Sequence, residues 1–176
     1  ITPTKGNLMA VQKSLQLSTS GFALLDRKRN ILIREMMQLI DKAKELRGQI
    51  SGAYRQAYEA LQDANVTLGV VEEAASAIPV DNGVTVTYRS VMGVEIPTVH
   101  LEPQEPQMCY GLDKTNSRFD YAYVCFQKVK QITAVLAEVE NSIYRLANAI
   151  RKTQRRANAL ENIVIPRYQE TVRLIT

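Results

Sequence analysis

An apolar repeat of seven residues constrains this chain more than any other feature. Stepping alternately by three and four from Leu8 reaches Val11, Leu15, Ser18, Phe22, Leu25 and Arg29, then continues in register as far as Ile78. Of the 21 positions visited, 18 are apolar, the exceptions being Ser18, Arg29 and Thr67. A second run from Ala122 through Cys125, Val129, Ile132 and Leu136 reaches Leu174, with 13 of 16 positions apolar. An apolar spacing of 3.5 residues keeps one stripe of a helix facing a partner helix, whereas the stripe of a straight helix drifts off that register within a few turns. The repeat therefore predicts two long helices packed along a seam.

The helix breakers agree with this division. Seven of the fourteen glycines and prolines lie between Pro79 and Gly111, and no proline occurs from Thr4 to Ile78 or from Gln107 to Ile165. A sandwich or barrel needs turn signals every 8–12 residues, and an alternating α/β protein needs several strands. Neither fits. The predicted organisation is a first long coiled-coil helix over 1–78, a β-hairpin and loop over 79–112, and a second long coiled-coil helix over 113–176. The fold class is all-α: an antiparallel two-helix coiled coil, a rod, with a small hairpin at the turn-around end. At 1.5 Å per residue, 75 helical residues extend roughly 110 Å. Folding the chain at its middle would set residue 36 opposite residue 155. The second helix reaches Thr176 still apolar and without a Gly or Asn cap, which predicts that the natural chain runs on.

Within the middle segment, Val84, Val86 and Tyr88 alternate with Thr85, Thr87 and Arg89, and Val94–Leu101 reads as a second extended run. Pro97 cannot donate to a ladder, so that side of its strand must face an edge. Pro103, Glu105 and Pro106 lead through an exposed loop. Pro166 interrupts the second helix, because it lacks an N–H and its ring collides with the carbonyl four residues earlier. A local bend, or an interruption followed by resumption, is expected there.

Not every apolar side chain lies on the seam. Ile33, Ile40, Tyr54, Leu61 and Leu68 fall one step after it, and Met9, Met37 and Tyr58 lie elsewhere. A two-helix seam alone does not bury all of these, so additional partners are expected to cover some.

Charge is patterned as well. The segments 1–78, 79–112 and 113–176 carry net charges of +2, −3 and +5, within a total of +4. Arg145, Arg151, Lys152, Arg155 and Arg156 cluster without an intervening acid, and Arg27, Lys28, Arg29 and Arg34 form a second group beside Asp26. Arg29 occupies a seam position, where its charge requires a partner. These runs read either as solvated helix faces or as a nucleic-acid-binding arm; the second reading lacks interleaved aromatics.

Catalytic constellations are missing from the sequence. No glycine-rich loop precedes Lys-Ser/Thr, the lone histidine His100 falls in the hairpin, and Glu72-Glu73 do not face each other on a helix. Cys109 and Cys125 fit no metal spacing; Cys125 falls on the seam and reads as a small buried hydrophobe. No catalytic residue, cofactor or metal is expected. No apolar run is long enough to span a bilayer.

Pro3-Thr4-Lys5, Leu24-Leu25-Asp26-Arg27-Lys28-Arg29, Val91-Met92-Gly93-Val94-Glu95-Ile96-Pro97 and Arg155-Arg156-Ala157-Asn158-Ala159-Leu160-Glu161 through Ile165-Pro166 together resemble the D subunit of the V-type/A-type rotary ATPases. The resemblance runs in order over the whole chain. Ala157 stands where valine is usual, and Lys5 where arginine is common. The resemblance implies a non-catalytic central-stalk rotor on the cytoplasmic side, peripheral to the membrane. Its implied partners are the catalytic and regulatory subunits of the head ring, the small globular F subunit of the stalk and the socket subunit above the membrane ring. On that basis Arg27, Lys28, Arg29, Arg151, Lys152, Arg155 and Arg156 are expected to contact the catalytic ring. Val84, Val86, Tyr88, Val94 and Ile96 are expected to contact stalk partners near the membrane-side end, and Pro166 is expected to bend the shaft where the ring grips it. The competing reading is a coiled-coil scaffold or nucleic-acid-binding helical arm unrelated to a rotary motor.

Overall fold

A computed structural model describes residues 3–102, 109–111 and 115–176. Its elements are α1 (Lys5–Leu68), α2 (Glu72–Ser76), β1 (Val84–Val91), β2 (Val94–Leu101), α3 (Ser117–Ala159), a π-helical turn (Leu160–Val164) and α4 (Ile165–Ile175). The two strands pair as a two-stranded sheet. The exposed loop expected around Pro103, Glu105 and Pro106 lies outside the described residues.

The seam is a physical one. Among the described residues, every buried apolar side chain of α1 (Val11, Leu32, Ala43, Ala57, Ala60 and Ala64) occupies a position of the 3–4 repeat. On α3 the same holds for Ala122, Cys125, Val129, Val139, Leu146 and Ala157, while the buried Phe119 falls one residue after the next step back, Arg118. The hydroxyl of Thr133, beside the seam, bonds the Val129 carbonyl, so the helix satisfies its own polar groups.

Two compact units divide the chain. The first comprises Ile1–Gln38, Ser90–Val94 and Tyr144–Thr176; the second comprises Leu39–Arg89 and Glu95–Ile143. In the first unit α1 and the later part of α3 run antiparallel: Arg29 bonds Gln154, and a Cβ placed at Gly21 would lie 3.8 Å from Leu160 Cδ1. In the second unit the pairing is again antiparallel, with Arg47 on Glu140, Gln56 on Tyr121 and Thr67 on Asn116. One part of its core is small-sided, Ala57 and Ala60 meeting Ala122, Cys125 and Val129. Small side chains at facing seam positions let two helix axes approach closely.

Two expectations need correction. The first helix was expected to reach residue 78, but α1 stops at Leu68, because Gly69 takes a left-handed conformation with φ of 78°. Such a residue after the last helical one is a common stop, and glycine adopts it without a Cβ clash. Val71, Ala74 and Ile78 keep the seam spacing because the chain lays them back on the core of Ala64, Tyr110 and Phe119. The second correction concerns register. Arg29, not residue 36, lies opposite the 154–155 region, as follows once α1 ends ten residues early and α3 starts at Ser117 behind the cap of Asn116. The Asn116 side-chain oxygen accepts from the N–H groups of Arg118 and Phe119, both at 3.1 Å.

Near the end of the chain, the π-helical turn directly precedes α4, whose first turn holds Pro166. The Ile165 N–H bonds the Leu160 carbonyl five residues back. Widening the turn accommodates a proline whose ring cannot tolerate the ordinary four-residue spacing. The helix is thus continuous at Pro166, with its hydrogen-bond spacing widened over one turn.

Candidate functional site

In the first unit the seam brings the two basic groups together. Arg29 reaches across it: its guanidinium pairs with Asp26 and donates to Gln154 Oε1 at 2.8 Å, while Gln154 Nε2 donates to Asn158 Oδ1 at 2.6 Å. This polar strand satisfies the one charge in the middle of the seam and fixes the height of α1 against α3. Arg29 is thereby committed inside the protein. Lys28 is half-buried, and its ammonium lies 4.0 Å from where a side chain at Gly93 would begin, against the hairpin turn. By contrast Arg27, Arg151, Lys152, Arg155 and Arg156 are exposed. Of the seven predicted basic contacts, then, five are exposed, while Lys28 and Arg29 are half-buried and Arg29 is bonded within the protein. Arg151, Lys152, Arg155 and Arg156 occupy adjoining turns of α3, so their side chains share one flank.

The sequence reading missed a second apolar row on α1. Leu17, Leu24 and Ile31 are spaced by seven residues and are 74%, 67% and 43% exposed, whereas Leu32 beside them is 0% exposed. The signal was available: a second heptad stripe, one residue per repeat, offset from the seam.

The strands of the hairpin fall mainly in the second unit, whereas its turn, Ser90–Val94, belongs to the first. The two-residue turn Met92-Gly93 has both φ angles positive, 51° and 75°, the type I′ turn whose twist matches that of paired strands. It pairs Val91 with Val94 and, counting back, Val86 with Val99 and Tyr88 with Pro97. Pro97 therefore falls where no N–H points at β1, and the sheet loses no ladder bond to it. The side-chain hydroxyls of Thr85 and Thr87 donate to the carbonyls of His100 and Thr98, each at 3.4 Å, in the same register. On the other side of β2 the Val99 N–H donates to Glu138 Oε2 of α3 at 2.7 Å, which fastens this strand to the helix.

Val84, Val86 and Tyr88 are each about half exposed, and Val94 is half-buried. Ile96 is the exception among the predicted hairpin contacts. It is fully buried and so supports the hairpin from inside. Beneath Val84, Val99 and Leu101 lies an apolar groove of 560 Å³, walled by Tyr54, Phe126, Ala134 and Ala137. Tyr54 stacks on Tyr58 at 6.1 Å between ring centres, and Tyr58 meets Phe126 edge-on at 5.6 Å. A second apolar cavity, of 380 Å³, is lined by Leu61, Val71, Ile78, Phe119 and Tyr123. At its rim the Lys130 ammonium pairs with Asp81. That hydrogen bond, helped by the Gly83 N–H, holds the Asp81 carboxyl below its ordinary range. In the cluster with Ala64 and Phe119, Tyr110 donates to Asp120 at 2.7 Å; burial, chiefly, and this bond push its phenol above the ordinary range.

The family model for the ATP synthase D subunit matches residues 7–176. The chain belongs to the ATP synthase D-subunit family. It is 42% identical over 177 residues to the V-type ATP synthase D subunit of Thermotoga neapolitana, covering 99% of this chain and 87% of that protein. It is 32% identical to the A-type ATP synthase D subunit of Thermococcus sibiricus, over 100% of this chain and 85% of that one. With the corresponding protein of Pyrococcus furiosus the identity is 34%, over 99% and 84%. The family match thus takes in both basic groups, the hairpin and the π-helical turn. No helix among the described residues is long and apolar enough to cross a membrane.

Proposed function

We propose that this chain is the central-stalk, rotor-axle subunit of a V/A-type ATPase. It is non-catalytic and passes torque between ATP hydrolysis or synthesis in a catalytic ring and ion translocation in a membrane ring. The observation that carries the reading is the antiparallel pairing of α1 and α3, whose buried residues follow one heptad seam on both helices, in a chain that matches its family nearly throughout. Torque transmission asks a shaft to resist twisting. A seam of interlocked side chains resists it because sliding one helix past the other must break every knob-in-hole contact in turn.

The exposed cations of the first unit then have a use. Arg27, Arg151, Lys152, Arg155 and Arg156 are proposed to meet acidic side chains or backbone carbonyls lining the head ring of catalytic and regulatory subunits. Arg29 contributes by holding the helix register, and Lys28 stands beside the hairpin turn. Val84, Val86, Tyr88 and Val94 are proposed to touch neighbouring stalk components, with the small globular F subunit alongside and the socket subunit beyond it. The chain is proposed to lie on the cytoplasmic side of the membrane as a peripheral part of the complex. The π-helical turn at Pro166 is proposed as the bend in the shaft where the ring grips it.

The test is charge reversal. Arg155→Glu with Arg156→Glu should leave the isolated chain folded, because both side chains are exposed, yet weaken its assembly with the head ring and the coupling of ATP turnover to rotation. Unchanged assembly and rotation would refute the assignment of these residues. Co-purification with nucleic acid, with steep salt dependence, would favour the unrelated helical-arm reading instead.

A further inference from the structure

The two edges of the hairpin are treated differently by the sequence. Along the outer edge of β2, Pro97 offers no donor and the Val99 N–H is taken by Glu138. That edge is closed at Pro97 and Val99. On β1 the register turns the N–H and C=O groups of Val84 and Val86 away from β2, and the strand is exposed from Val84 to Ser90. Proteins usually blunt such an edge with lysine, proline, a bulge or a covering element. Between Val84 and Arg89 there is no proline and no lysine, and the residues are β-branched or aromatic apart from the terminal arginine.

We propose that the outer edge of β1 is a strand-addition site, at which an extended segment of a neighbouring protein in the ATP synthase joins the hairpin as a third strand. This deepens the reading of Val84, Val86 and Tyr88 as partner contacts and rests on it. The occupant follows from the chemistry. Outward-facing peptide groups repeat about every 7 Å along a strand, and only another extended backbone supplies donors and acceptors at that spacing. Specificity comes from alternate side chains of the added strand. Those on the face shared by Val84 and Val86 would lie over the groove floored by Phe126 and Ala137, and so should be apolar.

Amide hydrogen exchange read residue by residue tests this, comparing the isolated chain with the same chain in the assembled ATPase. Strand addition predicts that the Val84 and Val86 amides exchange at least about tenfold more slowly in the complex, while those of Thr85 and Thr87, already bonded within the hairpin, change little. Val86→Pro removes an outward donor without removing a hairpin bond, and should loosen the hairpin's hold on its partner; Val86→Thr keeps the donor and should not. Slow exchange at Thr85 and Thr87 in the proline variant reports that its hairpin is intact. A chain that enters the complex but whose Val84 and Val86 amides exchange as fast as in isolation overturns strand addition alone. A chain that enters no ATPase complex overturns the functional reading and strand addition with it. Protection that grows with the concentration of the isolated chain assigns the edge to a second copy and also overturns the proposal.

Discussion

Leu24 and Leu32 sit eight residues apart on one helix and differ chiefly in what surrounds them. Leu32 is 0% exposed in the seam; Leu24 is 67% exposed. Replacing each in turn by alanine removes the same atoms, so the difference in cost isolates the contribution of the seam. At Leu32 the lost transfer energy and the cavity left behind together cost about 3 kcal/mol, within the usual range of roughly 2–5 for a buried leucine. The neighbouring helix turn cannot collapse into the hole without dragging Arg29 away from Gln154. At Leu24 the side chain is already mostly in water, and the cost should stay within about 0.5 kcal/mol. Urea denaturation of the isolated chain, followed by circular dichroism, measures both. With a slope of about 2–3 kcal/mol per molar, Leu32→Ala should lower the midpoint by roughly 1–1.5 M. In an assembled complex the order should shift, because Leu24 belongs to the exposed row with Leu17 and Ile31, and its loss should weaken assembly while leaving the isolated chain sound. A Leu32→Ala midpoint within about 0.2 M of the parent, or an equal loss from Leu24→Ala, would refute the assignment of the seam.

Asp81 gives a pH signature: its carboxyl is held below the unfolded value by Lys130 and the Gly83 N–H, so the stabilisation is present above the unfolded pKa and is lost as pH falls through the lower, folded one. Asp81→Asn should flatten this acid limb of stability, checked by denaturation midpoints from about pH 5 down to pH 2. Arg29→Met leaves Asp26 and Gln154 without their seam partner and should cost about 1–3 kcal/mol, read from the same urea titration. At Gly69 the left-handed backbone, not crowding, demands glycine, since nothing lies within 4 Å of an added Cβ. Gly69→Ala should therefore destabilise by about 1–2 kcal/mol, a thermal melt being sufficient to measure it. Pro166→Ala restores an N–H opposite the Asn162 carbonyl and should let the π-helical turn relax to an α-helix, which a crystal structure of the variant would reveal.

Burial along one heptad seam was legible because it depends only on spacing, and spacing is a property of the sequence. The end of α1 was not, for an instructive reason. Val71, Ala74 and Ile78 remain in register after the helix has stopped, since the same core with Phe119 and Tyr110 receives them from the segment around the short helix α2. Apolar periodicity records which residues face a core, not whether the backbone between them is continuous. Only the left-handed Gly69 marks the break, and one glycine among the five of residues 1–78 carries little signal before its φ is known. The strands were legible from their alternation, and Pro97 from its missing donor. The Asp81–Lys130 pair was not, because 49 residues separate the partners and nothing local links them. Ile96 illustrates the limit for the candidate site: alternation places it on a strand face, but only the packing decides that it is fully buried.

If the chain is the rotor axle proposed above, the charged and apolar surfaces of its first unit would divide the work of a shaft between them. A rotating contact must hold without sticking. Exposed cations such as Arg151 and Arg155 interact over a Debye length of about 8 Å in physiological salt and yield gradually as distances change, whereas a buried apolar knob resists until it leaves its hole. Slip between α1 and α3 would dissipate torque, so that joint calls for interlocked burial at Leu32, Leu146 and Ala157 and for the fixed Arg29–Gln154 bond. On the proposed rotor reading the joint to a surrounding ring would change partners at each step, and long cationic side chains over a helix would suit it. Arginine at three of the four exposed α3 positions keeps its charge at any physiological pH and can share two donors with one carboxylate, so it can find a new acceptor before releasing the old. On this argument the essential property is the density of charge along the flank. Moving one arginine by a helical turn should matter less than removing two.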